Sequence, residues 1–498
     1  MLDKLKHTFK HTAIYSFGNI ANKLVGILLL PFYTKALSLG EYGIYDIIMT
    51  TIAIFTQILI VGQSQSLIRF YTDEEYADQK GEVLNNILFF LLSVLAGFVS
   101  ITLFYADELR LLLGQGIVNL TLVQLSCFVI AARIMNILFL TLLRALEKSF
   151  FFAVVSLLKF VLVLCLNIYF VIVKNWGIEG IIVAFLIGEV IQIFVLTPSY
   201  LKRSKFKINF LLLKSLISFG SPLIFSSLAS ILLNMGNRYF LLYLANEDAV
   251  GIYALASRYA GILNNFFIQA FNMSILPIAF KMYLKPDAKR YFSKIFTYYI
   301  LFLVWAGLTF ILFGNDLIKL VSNKVEFYDA YKILPILILG YIFVGIKGFA
   351  NIGLYINKKT SLVALFTILA LSINILLNIL LIPMYSYVGS AISMLVTFIF
   401  LFAITLGGSQ KQYKVDFEYR RIIYLFSLGI IFWAIFEIFI IENKIVELLL
   451  KSISVFLFPI ILVISGFLEE VEKTRIKELY LQYSKLSEWE KLINRKKN

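Results

Sequence analysis

The residues best able to do chemistry in this chain are few and mostly of one sign. Its two histidines, His7 and His11, fall near the start, and its two cysteines, Cys127 and Cys165, stand apart inside apolar runs. No CxxC or Cys/His spacing links them. That pattern excludes a zinc centre, histidine-based catalysis and a disulfide framework, and no cofactor or metal is expected. What remains is a set of charges embedded in apolar stretches: Lys23, Arg133, Lys159, Glu189, Arg238, Arg258, Lys347 and Glu437. Ammonium and guanidinium groups in such surroundings suit anionic partners, because charge-assisted hydrogen bonds strengthen away from water. Lys159 and Glu189, of opposite sign, suit a structural pair between adjacent helices or, alternatively, a group coupled to proton movement. The amides of Asn19, Asn22, Gln57, Gln63 and Gln65 suit hydroxyl-rich ligands. They suit equally well the joining of membrane helices, at around 1 kcal/mol each.

These residues need elements to hold them, and composition says which. Of the 498 residues, 60% are hydrophobic and 15% charged, and the mean hydropathy is +0.88. Soluble domains carry about 25% charged residues. No compact core could hide this apolar excess, so the chain reads as an all-α polytopic membrane protein. At roughly 20 apolar residues per crossing, spans are expected near 12–36, 43–68, 83–105, 117–140, 150–173, 178–200, 214–243, 251–280, 291–313, 331–354, 360–382, 387–409, 421–441 and 445–467. That makes fourteen, and they are numbered in this order below. The start, MLDKLKHTFK, lacks a cleavage-like site, so the first segment is expected to be an uncleaved span.

The net charge of +15 would suggest nucleic acid in a soluble chain; here it sorts by membrane side. About 31 of the 45 lysines and arginines lie in the tails and even-numbered connections, against about 8 on the other side. Both termini are therefore expected in the cytoplasm. The acidic connection YTDEEYADQKGE runs against the trend. The tail after Leu468 has the spacing of an amphipathic helix, lying on lipid, on a partner or in solvent.

The chain also repeats. Ser16-Phe17-Gly18 returns as Ser218-Phe219-Gly220, and Gly43-Ile44-Tyr45 as Gly251-Ile252-Tyr253. Lys148 and Asn167 match Lys359 and Asn378. A duplicated six-span unit follows, with parallel halves related by an axis along the membrane normal. The expected units are residues 1–205 (spans one to six), 206–412 (spans seven to twelve), 413–467 (the last two spans) and a cytoplasmic tail, 468–498.

Depth separates the charges. At 1.5 Å per residue Lys23 lies about 16 Å into the first span, and Arg238 and Arg258 lie several residues inside the outer ends of theirs. Such charges either face water or a partner, or snorkel to the interface. Arg133 and Lys347, nearer the cytoplasmic ends, are expected to snorkel. Glu437, near an outer end, is assigned no role. Pro31 and Pro222 fall inside the first and seventh spans, where a kink would gate a cavity between the halves.

Several stretches resemble a known family. Phe32-Tyr33-Thr34-Lys35-Ala36-Leu37-Ser38 followed by Glu41-Tyr42-Gly43-Ile44-Tyr45 is similar to the first connection of Wzx-type oligosaccharide flippases. Leu143-Arg144-Ala145-Leu146-Glu147-Lys148, Asn237-Arg238-Tyr239-Phe240-Leu241, Gly251 to Ala256 and Ile333-Leu334-Pro335-Ile336-Leu337 resemble its later stretches. The resemblance covers about residues 12–400. Its superfamily also holds multidrug and toxic compound extruders and lipid II flippases. It implies two six-helix lobes around a central cavity plus two C-terminal helices. It further implies transfer of an undecaprenyl-diphosphate-linked oligosaccharide, as for O-antigen or capsule, to the outer leaflet of the bacterial cytoplasmic membrane by alternating access. Lys23, Arg238 and Arg258, with Asn19, Asn22 and Gln57, would then surround the chamber that takes the diphosphate. Implied partners are membrane lipids, a polysaccharide polymerase and assembly proteins, and not nucleic acid. Many relatives carry an acidic residue where this chain has Asn237, so the resemblance supplies no coupling carboxylate there.

Two rival readings stand beside it. An extruder of organic cations would want acidic cavity residues, and this chain offers mainly basic ones. A membrane-embedded polymerase or ligase would need a large outer loop; the longest expected here, about residues 314–330, has no His, Cys or paired carboxylates.

Overall fold

The computed structural model describes residues 26, 28–114, 118–322, 324–439, 442–467 and 469, the side chain of Ser226 aside. Lys23, Asn19, Asn22 and the amphipathic tail lie outside this set, as does most of the first expected span. All regular structure among the described residues is helical. Twelve helices are long and apolar enough to cross a membrane, and they coincide in order with the second to fourteenth expected spans. One of the twelve, Thr360–Gln412, runs 53 residues, about 80 Å at helical rise and far more than one crossing needs. It breaks at Ser386, whose φ is 48°, and so contains the eleventh and twelfth spans.

Local chemistry sets where the spans begin. Ser38 caps the second span, Leu39–Leu59, by accepting from the Glu41 amide while Glu41 returns a bond to the Ser38 amide, a complete capping box. Asn246 caps the eighth, whose first helix is Glu247–Ile262, by accepting from the Ala249 amide. Both caps therefore stand five residues before the repeated glycines, Gly43 and Gly251. The repeat also appears in the turns. Glu147 and Lys358 both take positive φ, 54° and 57°. The next amide in each case, Lys148 or Lys359, reaches back to Leu143 or Leu354 oxygen at 2.9 and 2.8 Å. Identical corners thus enter the fifth and eleventh spans.

The second and eighth spans cross at the repeated glycines. A Cβ on Gly43 would run into the Glu247 carbonyl oxygen, and one on Gly251 into that of Leu39. The helices can lie this close only because both positions lack a side chain. At its other end the second span breaks at Gly62, whose φ is 66°. There it meets the seventh span: a Cβ on Gly220 would sit 2.6 Å from the Val61 oxygen, and Ser66 donates to the Leu216 carbonyl at 2.9 Å. The second span therefore touches the C-terminal half of the duplication at both ends.

Grouped by packing, the described residues form two compact units. One comprises residues up to 288 together with 314–415; the other comprises 289–313 and the chain from 416 onward. In the second unit the ninth span, Ala288–Leu312, packs with the last two, Tyr419–Ile438 and Lys444–Ile464. Trp305 donates to the Val455 carbonyl at 2.9 Å, and Ser293 to that of Asp416 at 2.6 Å. Glu418, just outside the thirteenth span, takes bonds from Lys294 and Thr297 at 2.8 and 2.7 Å. Burial pushes its pKa up, but these bonds and the nearby Arg421 outweigh it and hold the carboxyl below the usual range.

Two predictions follow from this packing. Gly251→Ala overpacks the crossing and lowers stability by about 1–3 kcal/mol in detergent melts, whereas Gly97→Ala, with open space around it, does not. A carboxyl held low stabilises the fold above its unfolded pKa and loses that contribution as pH falls through the lowered value. Acid melts of wild type should therefore show a loss of stability that Glu418→Gln does not.

Candidate functional site

Asp46 lies seven residues into the second span, about 10 Å from its capped start at helical rise, one turn beyond the glycine crossing. It is 4% exposed. Two guanidinium groups from the C-terminal half converge on it. Arg238 Nε donates to Oδ2 at 2.8 Å, and an Arg258 terminal nitrogen donates to Oδ1 at 3.2 Å. Arg238 also donates to Ser257 Oγ and to the Asn234 carbonyl, both at 3.0 Å.

Aromatic rings complete the enclosure. Arg238 stands over the Tyr253 ring at 5.5 Å, and Arg258 stands over Tyr42 and Tyr45 at 5.6 and 5.3 Å. Cations over ring faces are stabilised most when water is excluded. The site therefore holds two positive charges and one negative among tyrosine rings, with Asp46 and Arg238 buried and Arg258 partly exposed. Arg238 and Arg258 are neither solvated in an open chamber nor snorkelled to an interface; they are paired with a buried carboxylate.

The hydropathy reading passes over Asp46. An expected span start at 43 puts it at the membrane edge, where a carboxylate is unremarked. The helix starts at Leu39, and those four residues, about 6 Å at helical rise, turn an edge position into an interior one. The available signal is the broken repeat. The position matching Asp46 in the second copy, eight residues past the Asn246 cap, is Ala254.

A second charged cluster lies within the N-terminal half. Glu189 of the sixth span, 2% exposed, pairs with Lys159 of the fifth and with Arg133 of the fourth, the latter at 3.4 Å. Asn136 donates to the Glu189 carboxylate at 2.7 Å. Each of the three charges lies within about two residues of the middle of its helix, so the cluster occupies mid-membrane depth. Arg133 therefore does not snorkel. The fourth span runs Leu120–Ala145, beyond the expected end at 140, and the shift moves Arg133 to the centre. A cavity of about 270 Å³ opens beside the cluster, with Asn136, Gln192 and Phe160 among its walls.

The remaining candidates are spread out. Gln57 is half-buried in the second span and makes no contact with the Asp46 site. Pro222 lies inside the unbroken helix Phe210–Met235; the break in the seventh span comes later, at Gly236. Pro31 stands in the first turn of a short helix, Leu30–Ala36, where its missing amide leaves no bond unmade. Asn237, 1% exposed, bridges Tyr253 and Asn378 at 3.1 and 3.0 Å. In the first half Tyr33 reaches Asn167, the repeat partner of Asn378, at 2.8 Å.

A many-helix fold of long apolar helices with a buried ion cluster defines a polytopic integral membrane protein. The chain belongs to the polysaccharide biosynthesis protein family, whose model matches residues 8–283. It is 24% identical over 282 residues to protein 1 of the Lsg locus of Haemophilus influenzae, a match spanning 54% of this chain and 65% of that relative's length. Its fold is similar to that of the lipid II flippase MurJ in an inward closed conformation, with a TM-score of 0.75 and 15% identity over 92% of this chain and all of that one. It is also similar to an outward-facing multidrug resistance MATE family transporter of the MOP superfamily, with a TM-score of 0.58 and 16% identity over 84% and 96% of the two chains. At these identities the likeness concerns the fold.

Removing Asp46 strands the buried Arg238 and the partly exposed Arg258, and breaking a buried pair in this way costs about 3–5 kcal/mol. Asp46→Ala should therefore destabilise strongly. A double-mutant cycle with Arg238→Ala should show a coupling of roughly 0.5–3 kcal/mol in detergent melts.

Proposed function

We propose that this protein is a flippase. In this reading it moves an undecaprenyl-diphosphate-linked oligosaccharide from the cytoplasmic to the outer leaflet of the cytoplasmic membrane. The support is family membership, a fold shared with flippases and transporters, and one observation above all: two arginines of one half buried on a single carboxylate of the other. That carboxylate is a replaceable counter-ion. A diphosphate carries more charge and more acceptor oxygens than Asp46, and guanidinium groups bind phosphate in the same forked geometry as carboxylate.

The mechanism is alternating access between two lobes, residues 1–205 and 206–412. The diphosphate head and sugars enter from the cytoplasmic side, where Lys23 meets them. As the anion takes over Arg238 and Arg258, Asp46 is released and the second and eighth spans lose their ionic tie at that end. The lobes separate there and the head emerges, while the lipid tail stays in the bilayer. A potential negative inside favours outward movement of an anion by about 2.3 kcal/mol per charge per 100 mV. The cation asymmetry supports a cytoplasmic position for both termini. Glycosyl carriers in the membrane, a polymerase and assembly proteins are its natural partners.

The extruder reading gains one point from Asp46, a carboxylate where a cationic drug would want one. Two arginines already neutralise it, which leaves the site net positive and unsuited to a cation.

The test is export of lipid-linked oligosaccharide in cells lacking their own flippase. Arg238→Gln and Arg258→Gln should each reduce export about tenfold or more, since a hydrogen bond to a charged group contributes roughly 1.5–3 kcal/mol. Normal export by the Lys23→Ala, Arg238→Ala double variant would overturn the reading. Drug resistance conferred without export would favour the extruder, and new covalent products from labelled lipid-linked sugar would favour an enzyme.

A further inference from the structure

We propose that the cavity beside Glu189 is a proton-binding site, that Lys159 is the group that carries the proton, and that its protonation is linked to the crossing of the second and eighth spans. The coupling to cargo rests on the flippase reading; the proton site itself does not.

Glu189 faces Arg133 and Asn136 from the fourth span, Lys159 from the fifth and Gln192 one turn along its own helix. Among the described residues no other ionisable group enters its electrostatic surroundings. One cation is enough to neutralise one carboxylate, yet two are present. A guanidinium keeps its proton inside proteins, whereas an ammonium in an apolar setting is the cation able to give one up. Loss of a proton from Lys159 takes the cluster from +1 to neutral and leaves the Arg133–Glu189 pair intact. The Arg133 bond, long at 3.4 Å, has room to shorten when Lys159 lets go.

The surroundings supply a route for that proton. Asn136 and Gln192 are 2% and 3% exposed, and Asn136 Oδ1 and Gln192 Oε1 have no hydrogen-bond partner. Both line the cavity, which at about 270 Å³ has room for several waters of roughly 30 Å³ each. Water held in this space beside the two amide residues would receive the proton from Lys159 Nζ. Gly188 gives the lysine its place. A Cβ there would collide with Val163 and stand 3.7 Å from the Lys159 stem.

The link to the crossing runs through one packed element. The fourth span, which carries Arg133, lies against the second span, which carries Gly43 and Asp46. A shift of Arg133 toward Glu189 therefore acts on the helix that forms the crossing.

The test uses the full chain in lipid nanodiscs without cargo. Spin labels replace Lys35 and Asp248, both exposed and on opposite halves, and Cys127 and Cys165 become serine. In wild type the fraction of molecules with the short inter-label distance should change about threefold or more between pH 6 and pH 9. Lys159→Arg should hold that fraction at its low-pH value throughout, and Lys159→Gln at its high-pH value. Such opposite, pH-independent settings are not what loss of a structural contact produces, and matching melting temperatures for Lys159→Arg and wild type verify the fold. A wild-type distance distribution unmoved by pH, or a pH response that survives in both variants, overturns the proposal. Because no cargo is present, either result leaves the export test of the flippase reading to be decided separately.

Discussion

The burial of Asp46 between Arg238 and Arg258 is the constraint on which the inter-half arrangement depends. A charge inside a membrane must find a partner or water, and here each partner comes from the other half of the duplication. The carboxylate can reach both guanidinium groups only if the second and eighth spans lie almost in backbone contact. That in turn needs glycine at 43 and 251, and the caps at Ser38 and Asn246 start both helices in matching register. Cap, glycine, carboxylate and arginine are thus links in one chain of requirements. The tyrosines at 42, 45 and 253 close the space and make the charges strong.

The same pairing ratio occurs twice. Asp46 holds two cations, and Glu189 holds two. At both sites a carboxylate is over-balanced by one positive charge. Lys347 stands apart, half-buried in the tenth span with no carboxylate among the described residues. The two clusters differ in what they join: Asp46 ties one half to the other, and Glu189 ties helices within one half.

Much of this was legible in the sequence, and the limits have physical causes. Long apolar runs must form helices in lipid because no other structure satisfies their backbone, so the order of the spans among the described residues could be read directly. Local matches such as the corners at Glu147 and Lys358 were legible because turns and caps demand particular residues. Depth was the weak point. Hydropathy cannot see helix ends that continue through polar residues, and errors of four or five residues moved Asp46 to the edge and Arg133 off centre. The Lys159–Glu189 pair could be anticipated from opposite charges at equal depth. The Asp46 pairings could not, since they join residues almost two hundred positions apart through a crossing that periodicity does not encode. Lys23, read as a leading candidate, lies outside the described residues.

The glycine crossing carries one more consequence. Leu39 of the first copy meets Gly251 of the second, and Glu247 of the second meets Gly43 of the first. This exchange of equivalent contacts is the signature of an isologous interface, the kind two identical subunits form about a two-fold axis. In a true homodimer every residue near such an axis is present twice, and an acid at position 46 would bring its own copy to the same place. Joining the copies in one chain lifts that restriction. One half is free to be the acid and the other the base, and a symmetric seam becomes a lock with a distinct bolt and socket.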